Sequence, residues 1–522
     1  MADKPKSFEK ENVFLRILKG IAAFFIAIPR FFYRTIPNAC KKAFFGIKNF
    51  CINFKKRFKD GSIGTKISHF ILGAGNLYHG QIVKGIIFLA LQVLFILYMV
   101  LCPAITGPNG VQVPTGWKSL ANLRLEGHDI RVRTGQPWTP ETGMIPADSS
   151  FLMLLLGLVT IAIIILFIII YFANIKSSYA ADNAVKEGRK PSSFKEDLIA
   201  LTDNRFHILM LTPTCLAALV FTLLPTILMI CLAFTTYNIL EMQESHTALF
   251  HWNGFENFIS IFQPGTTSPL GIEIGARFLP VLGWTFVWAF FATFTCYFGG
   301  IILAILINKK GLKGKKVFRT IFILTIAIPQ FISLLVMRNL LMVTGPVNSI
   351  ITSLGGEPVK FLGQTGGDPM LARVMVIIIN MWLGIPYTML MTSGILMNIP
   401  ADLYEAAKVD GTSRPKMFFK ITLPYVIFIT TPYLISSFVG NINSFNTIFL
   451  LTGGGPEVVG DGATYAAGQT DLLVTWLYKL TIDQGQYNTG AVIGIFTFII
   501  TATITLITYR RSKAYNEEDT FQ

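Results

Sequence analysis

Glu405 stands in a short polar stretch, residues 401–424, between apolar runs at 374–398 and 425–451 that are each long enough to cross a bilayer. The residue types around it suit docking more than catalysis. Leu403 to Val409 is helix-compatible, and the small pair Ala406 and Ala407 lets another surface approach closely. Gly411 permits a turn. Thr412 or Ser413 can cap a following helix, with Pro415 near its first turn. Met417, Phe418 and Ile421 then repeat at helical spacing as an apolar stripe, and Leu423-Pro424 is expected to end the unit. The stretch reads as a helix–turn–helix knob on a membrane surface. Spacing alone leaves open an ordinary loop with an amphipathic helix.

No engine accompanies the knob. The chain has no GxxxxGK[ST] phosphate loop, and the glycine-punctuated stretch Lys309 to Lys316 lacks that spacing. No Asp or Glu lies inside any long apolar run, whereas proton relays need buried ionisable groups. Arg338 is the main interior charge. Cys40, Cys51, Cys102, Cys215, Cys231 and Cys296 form no CxxC pair, so neither a disulfide framework nor a zinc site is indicated. No catalytic residue, metal or cofactor is expected. A pore with a docking knob and no motor implies a motor on another chain.

The elements around the knob follow from composition. Of 522 residues, 52% are hydrophobic and 14% charged, with mean hydropathy +0.55. Soluble domains carry about 25% charged residues. Eight runs qualify as spans: 82–103, 151–173, 207–234, 278–307, 318–343, 374–398, 425–451 and 489–509. The fold class is all-α, a polytopic helical bundle with eight transmembrane helices. The apolar residues 20–29 are too few to span and suggest an interfacial helix. With an inside N-terminus the inner segments hold 34 Lys and Arg and the outer loops 6, which places both termini and Glu405 in the cytoplasm. The +15 net charge then reflects topology and anionic membrane lipid, with no nucleic acid required. Three parts are expected: a basic extension at 1–70, a two-span unit with outer loop and linker at 71–206, and a six-span core at 207–522. The outer loop at 104–150 is rich in Gly and Pro and is expected to hold little regular structure.

Glu405-Ala406-Ala407, Gly411 and Leu423-Pro424 resemble the "EAA" loop of bacterial ATP-binding-cassette (ABC) importer permeases. The likeness extends over about 207–522 and is nearest to MalF-like permease subunits of maltose/maltodextrin-type carbohydrate importers. Asn253 to Phe258 looks like their "GLxNF" segment, Leu451 to Pro456 like their outer loop after the penultimate span, and Ala467 to Val474 like the segment before the last. The resemblance implies a type I importer permease fold, with a second, MalG-like permease, two ATPase subunits docked on the EAA loops and an extracytoplasmic sugar-binding protein as partners. It implies oligosaccharide import, maltodextrin-like, by alternating access. A permease for amino acids or phosphate, or an ion-coupled transporter, is the competing reading.

The resemblance also implies a sugar site midway across the membrane. It falls on Leu383, Gly384 and Tyr387 of the sixth span and on Ser437, Gly440, Asn441 and Ser444 of the seventh. The chemistry suits a sugar: Asn and Ser both donate and accept, and a Tyr face stacks on a pyranose. The last four residues are spaced to share one helical face. Gly440 stands where the family has an aromatic and Ser444 where it has an asparagine, implying a roomier pocket. The short 235–276 loop implies a simpler contact with the binding protein, for which Asn253 to Phe258 and Gly453 to Pro456 are candidates.

Overall fold

The computed structural model describes residues 49, 52–106, 112–125, 136–139, 143–145, 149–238, 250–266, 273–309, 311–458 and 467–511. The expected interfacial helix at 20–29, Cys40 and Cys51 lie outside the described residues. Among the described residues, eight helices are long and apolar enough to cross a membrane: Ile82–Leu101, Ser150–Lys186, Phe206–Leu232, Phe278–Asn308, Gln330–Ser353, Pro369–Met397, Arg414–Ile442 and Tyr487–Thr508. They are called the first to eighth spans below. The backbone divides into two compact units, Met1–Gly254 and Phe255–Gln522.

In the first unit the second span continues to Lys186, well past its apolar run. Its extension is polar on the packed side. Asn174 accepts from the Gly73 N–H at 2.9 Å and donates to the Ser68 carbonyl at 3.1 Å, and the Ser178 hydroxyl reaches Thr65 Oγ1 at 3.1 Å. These buried groups fasten the short helices Ile63–Ile67 and Ala74–Tyr78 against it. Helix Phe194–Thr202 follows, started by a Ser193–Glu196 capping box. The loop at 104–150 is more regular than its composition suggests. Ala104–Thr106 pairs antiparallel with Gln112–Pro114, Gln136–Thr139 pairs with Gly143–Ile145, and Gly116–Ala121 is helical.

In the second unit the fourth and sixth spans form the core. Trp284, Trp288 and Ala292 of the fourth pack with Val376 and Ile379 of the sixth, and Leu334, Leu362, Ile448, Leu451 and Leu472 complete the cluster. Gly300 makes the close approach possible, because a Cβ there would lie 2.5 Å from Thr388 Cβ.

The prolines act in two ways. The fifth run, expected as one helix over 318–343, is broken. Lys315–Ala327 ends at Ile328, which is extended (ψ 127°) because Pro329 disfavours the helical region before it, and Gln330–Leu341 begins anew. Elsewhere the helix persists. A π turn at Leu219–Leu223 stands just before Pro225, and another at Phe418–Thr422 just before Pro424. Widening the turn relieves the clash between the proline ring and the preceding carbonyl.

Candidate functional site

The knob between the sixth and seventh spans begins with helix Ala401–Val409. Its end is a Schellman motif. Gly411 has φ +67°, its N–H donates to the Lys408 carbonyl at 3.0 Å, and the Thr412 N–H donates to Ala407 at 2.9 Å. Ser413 takes the N-cap position of Arg414–Met417, with Pro415 in the first turn, although its side chain accepts no capping bond. Pro424 does not end the unit as expected. The helix runs without a break from Arg414 to Ile442, because the π turn absorbs the proline. Glu405 and Ala406 are exposed and Ala407 half-buried. Val409 is 89% exposed. The other side of the knob is anchored. The Tyr404 hydroxyl meets Thr422 Oγ1 at 2.8 Å, Met417 is buried, and Phe418 and Leu423 pack on Tyr297, Ile301 and Val426. One face is thus exposed while the other is keyed into the bundle.

Above the knob, Tyr387 of the sixth span is 52% exposed and lies beside Tyr433 of the seventh, ring centroids 5.9 Å apart and planes at 33°. Gly440 faces open space, with nothing within 4 Å of a Cβ placed there, and Ser437 is half-buried. Asn441 Nδ2 donates to Thr293 Oγ1 at 2.8 Å, and its carbonyl accepts from Trp288 Nε1 at 3.1 Å. Leu383 packs against the core cluster, and a Cβ on Gly384 would lie 2.6 Å from Cys296 Sγ, so these two serve helix packing. Ser444 does not share the expected helical face. The helix ends at Ile442, and Ser444 (ψ 76°) opens helix Phe445–Leu451. At the break the Phe445 N–H donates to the Asn443 main-chain carbonyl at 2.8 Å, and the Ser444 hydroxyl donates to Thr447 Oγ1 at 3.1 Å in the following helix.

Sequence reasoning passed over Tyr433 and Asn380. Tyr433 stands four residues before Ser437, so the same stripe could have found it. Asn380, four before Gly384, is a buried amide 3.4 Å from Cys296 Sγ.

At the far end of these spans the chain closes on itself. The Thr470 N–H donates to Gly454 at 3.0 Å, the Gln469 N–H to Pro456 at 2.9 Å, and Thr452 Oγ1 meets Thr470 Oγ1 at 2.8 Å. Trp284 Nε1 holds the Thr470 carbonyl at 3.1 Å. Asp471, fully buried, accepts from Gly468 N at 2.7 Å, Thr475 Oγ1 at 2.8 Å and Lys479 Nζ at 2.6 Å. Burial pushes its carboxyl above the usual range, against the pull of Lys479. Asn257 of the "GLxNF"-like segment accepts from Asn488 Nδ2 at 3.2 Å. A cavity of about 720 Å³ opens beside this clasp, with the Arg373 guanidinium 4.7 Å above the Trp284 ring and 2.9 Å from the Gln469 carbonyl.

Residues 297–514 match the family model described as "Binding-protein-dependent transport system inner membrane component". The chain is 32% identical over 458 residues to the maltodextrin transport system permease protein MalC of Streptococcus pneumoniae, covering 86% of this chain and 95% of that one. It is 31% identical over 451 residues to the galactooligosaccharides transport system permease protein GanP of Bacillus subtilis, covering 86% and 97%. With the maltose/maltodextrin transport system permease protein MalF of Escherichia coli it shares 37% identity over 266 residues, about half of each chain. The chain therefore belongs to the MalF-like oligosaccharide permeases of binding-protein-dependent ABC importers, multi-pass membrane subunits with the type I permease fold.

Proposed function

We propose that this permease carries maltodextrin-like glucans inward by alternating access, with both termini and the knob in the cytoplasm. A MalG-like permease completes the pore, two ATPase subunits dock on the two knobs, and an extracytoplasmic binding protein delivers the sugar. ATP hydrolysis belongs to the ATPase partners, since the chain has no phosphate loop. In this reading Glu405, Ala406, Ala407 and Gly411 form the docking face, and Leu423 and Pro424 join it to the seventh span.

The observation that carries the sugar reading is the open aromatic face of Tyr387 and Tyr433, with Ser437 and Gly440 beside it. Such a face stacks on pyranose rings while hydroxyls and amides bond their edges. Leu383 and Gly384 hold that face in place, Asn441 offers an amide at its edge, and Ser444 bounds it at the helix break. Two of the three relatives above are named for maltose or maltodextrin. The galactooligosaccharide relative, matched over 97% of its length, supports a second reading with the same mechanism.

The test is ATP-dependent uptake by the reconstituted complex with its binding protein, across linear maltodextrins and galactooligosaccharides. Glu405→Lys is expected to abolish uptake in a complex that still assembles. Undiminished uptake would end the docking reading, and a preference for galactosides would replace the substrate.

A further inference from the structure

The helix over residues 52–60 carries Lys55, Lys56, Arg57 and Lys59 against Asp60. Aromatic contacts dock it on the end of the second span. Phe54 meets Phe172 edge-on at 5.8 Å, and Phe54 and Phe58 flank the buried His69 ring at 5.2 and 5.1 Å. His69 is fixed in turn, with Nδ1 on the Thr65 carbonyl at 2.9 Å and its own carbonyl accepting from the Tyr171 hydroxyl at 3.1 Å. Between helix and span lies a cavity of about 260 Å³ lined by Asn53, Phe54, Arg57, Phe172, Ala173 and Lys176.

Two cations share this cavity. Among the described residues neither the Arg57 nor the Lys176 side chain has an ion pair or hydrogen bond, whereas the nearby Asp182 is already held by Lys186 at 3.0 Å and the Ser62 N–H at 2.9 Å. The cavity sits where the apolar run of the second span gives way to polar sequence, at residues 172–176. That is the depth of phospholipid phosphates. Its volume falls below the range of about 300–1,000 Å³ usual for drug-sized ligands, so it is too small for an oligosaccharide. A guanidinium presents a planar fork to phosphate oxygens, and an ammonium adds a point charge.

We propose that this cavity binds the phosphodiester headgroup of an anionic phospholipid. Arg57 and Lys176 grip the phosphate oxygens, Asn53 reaches the glycerol hydroxyls, and Phe54 and Phe172 cover the first acyl carbons. The site clamps the basic helix to the bilayer, and it stands whether or not the sugar reading does.

The experiment uses the full chain in lipid nanodiscs, with phosphatidylglycerol titrated into phosphatidylcholine and retained lipid counted by native mass spectrometry. Wild type is expected to retain phosphatidylglycerol over phosphatidylcholine. Arg57→Gln/Lys176→Gln is expected to weaken that retention about 10–30-fold, taking about 1 kcal/mol per basic residue. Arg57→Lys/Lys176→Arg, which keeps both charges, should retain most of it, and Lys55→Gln/Lys59→Gln should leave the tightly held lipid in place. Equal retention by wild type and the first double variant would overturn the proposal. So would equal retention of the two lipids, or displacement by millimolar inorganic phosphate, which would make free phosphate the ligand.

Discussion

Gly454 lies at the centre of the clasp, and replacing it with alanine should unfasten that end of the second unit. Two costs add. Gly454 has φ +86°, where an L side chain costs about 1–2 kcal/mol. A Cβ there would also overlap both Asp471 oxygens. Asp471 is fully buried and cannot swing into solvent. Moving it breaks the bonds from Gly468, Thr475 and Lys479. Uncoupling a buried ion pair costs about 3–5 kcal/mol, so Gly454→Ala should lose about 4–7 kcal/mol in all. Gly355 is the matched control: it has the same φ of +86° and nothing within 4 Å of its Cβ. Gly355→Ala should therefore lose only about 1–2 kcal/mol. The assay is labelling of the buried thiol of Cys296, in the same unit as the clasp, by a fluorogenic reagent on heating, at one scan rate because the labelling itself is irreversible. Gly454→Ala should lower the midpoint well beyond Gly355→Ala, and the excess should shrink in an Asp471→Ala background. Equal shifts for the two glycine variants would refute the reasoning.

Three further outcomes are expected. Gly384→Ala should cost about 1–3 kcal/mol by overpacking against Cys296, with most of the loss recovered in Gly384→Ala/Cys296→Ala, read as a tryptophan-fluorescence midpoint on heating because Cys296 is itself a reporter thiol of the labelling assay. Tyr387→Ala should raise the KM for maltodextrin uptake about 2–10-fold through lost stacking, while Tyr387→Phe should change it less. Asp471 binds its proton more tightly folded than unfolded, so its contribution to stability falls as pH rises from the ordinary 3.8 through the raised folded value and is level beyond. Asp471→Asn should flatten that part of a plot of midpoint against pH.

Patterns carried by one stretch of chain were legible in the sequence. Seven of the eight spans follow from their apolar runs, because length and hydropathy are properties of a single segment, whereas the fifth, expected over 318–343, breaks at Pro329 and lies over Gln330–Ser353. The knob was legible because Gly411 is a local backbone requirement and the φ of +67° answers it. Pro424 misled because a proline can stop a helix or be absorbed by a π turn, and the choice depends on packing around Phe418 and Leu423. Ser444 misled because helical spacing holds only while the helix lasts, and this one ends at Ile442, two residues before it. The clasp was not legible. The sequence places its glycines in two outer segments, one of them a candidate contact with the binding protein, and only the fold brings Gly454 against Asp471 and gives Gly468 no room for a side chain.

The Arg414–Ile442 helix makes a mechanical argument possible. Its start belongs to the knob, its middle carries Tyr433, and its end carries Gly440 and Asn441. Tyr433 also packs in the cluster that receives Phe418 and Leu423, and its hydroxyl lies 3.5 Å from Thr388 Oγ1 on the sixth span. In the proposed mechanism, a push on the knob would reach the aromatic pair along this one continuous helix. Thr430 braces the helix through the Tyr297 hydroxyl at 2.6 Å. Thr430→Val removes that bond and leaves Tyr297 a buried hydroxyl without this partner, a loss of about 1–3 kcal/mol. If the helix transmits work, this variant should uncouple ATP hydrolysis from uptake, raising the ratio of ATP hydrolysed to sugar carried. If stability falls while that ratio holds at the wild-type value, the brace is structural and the stroke travels by another route.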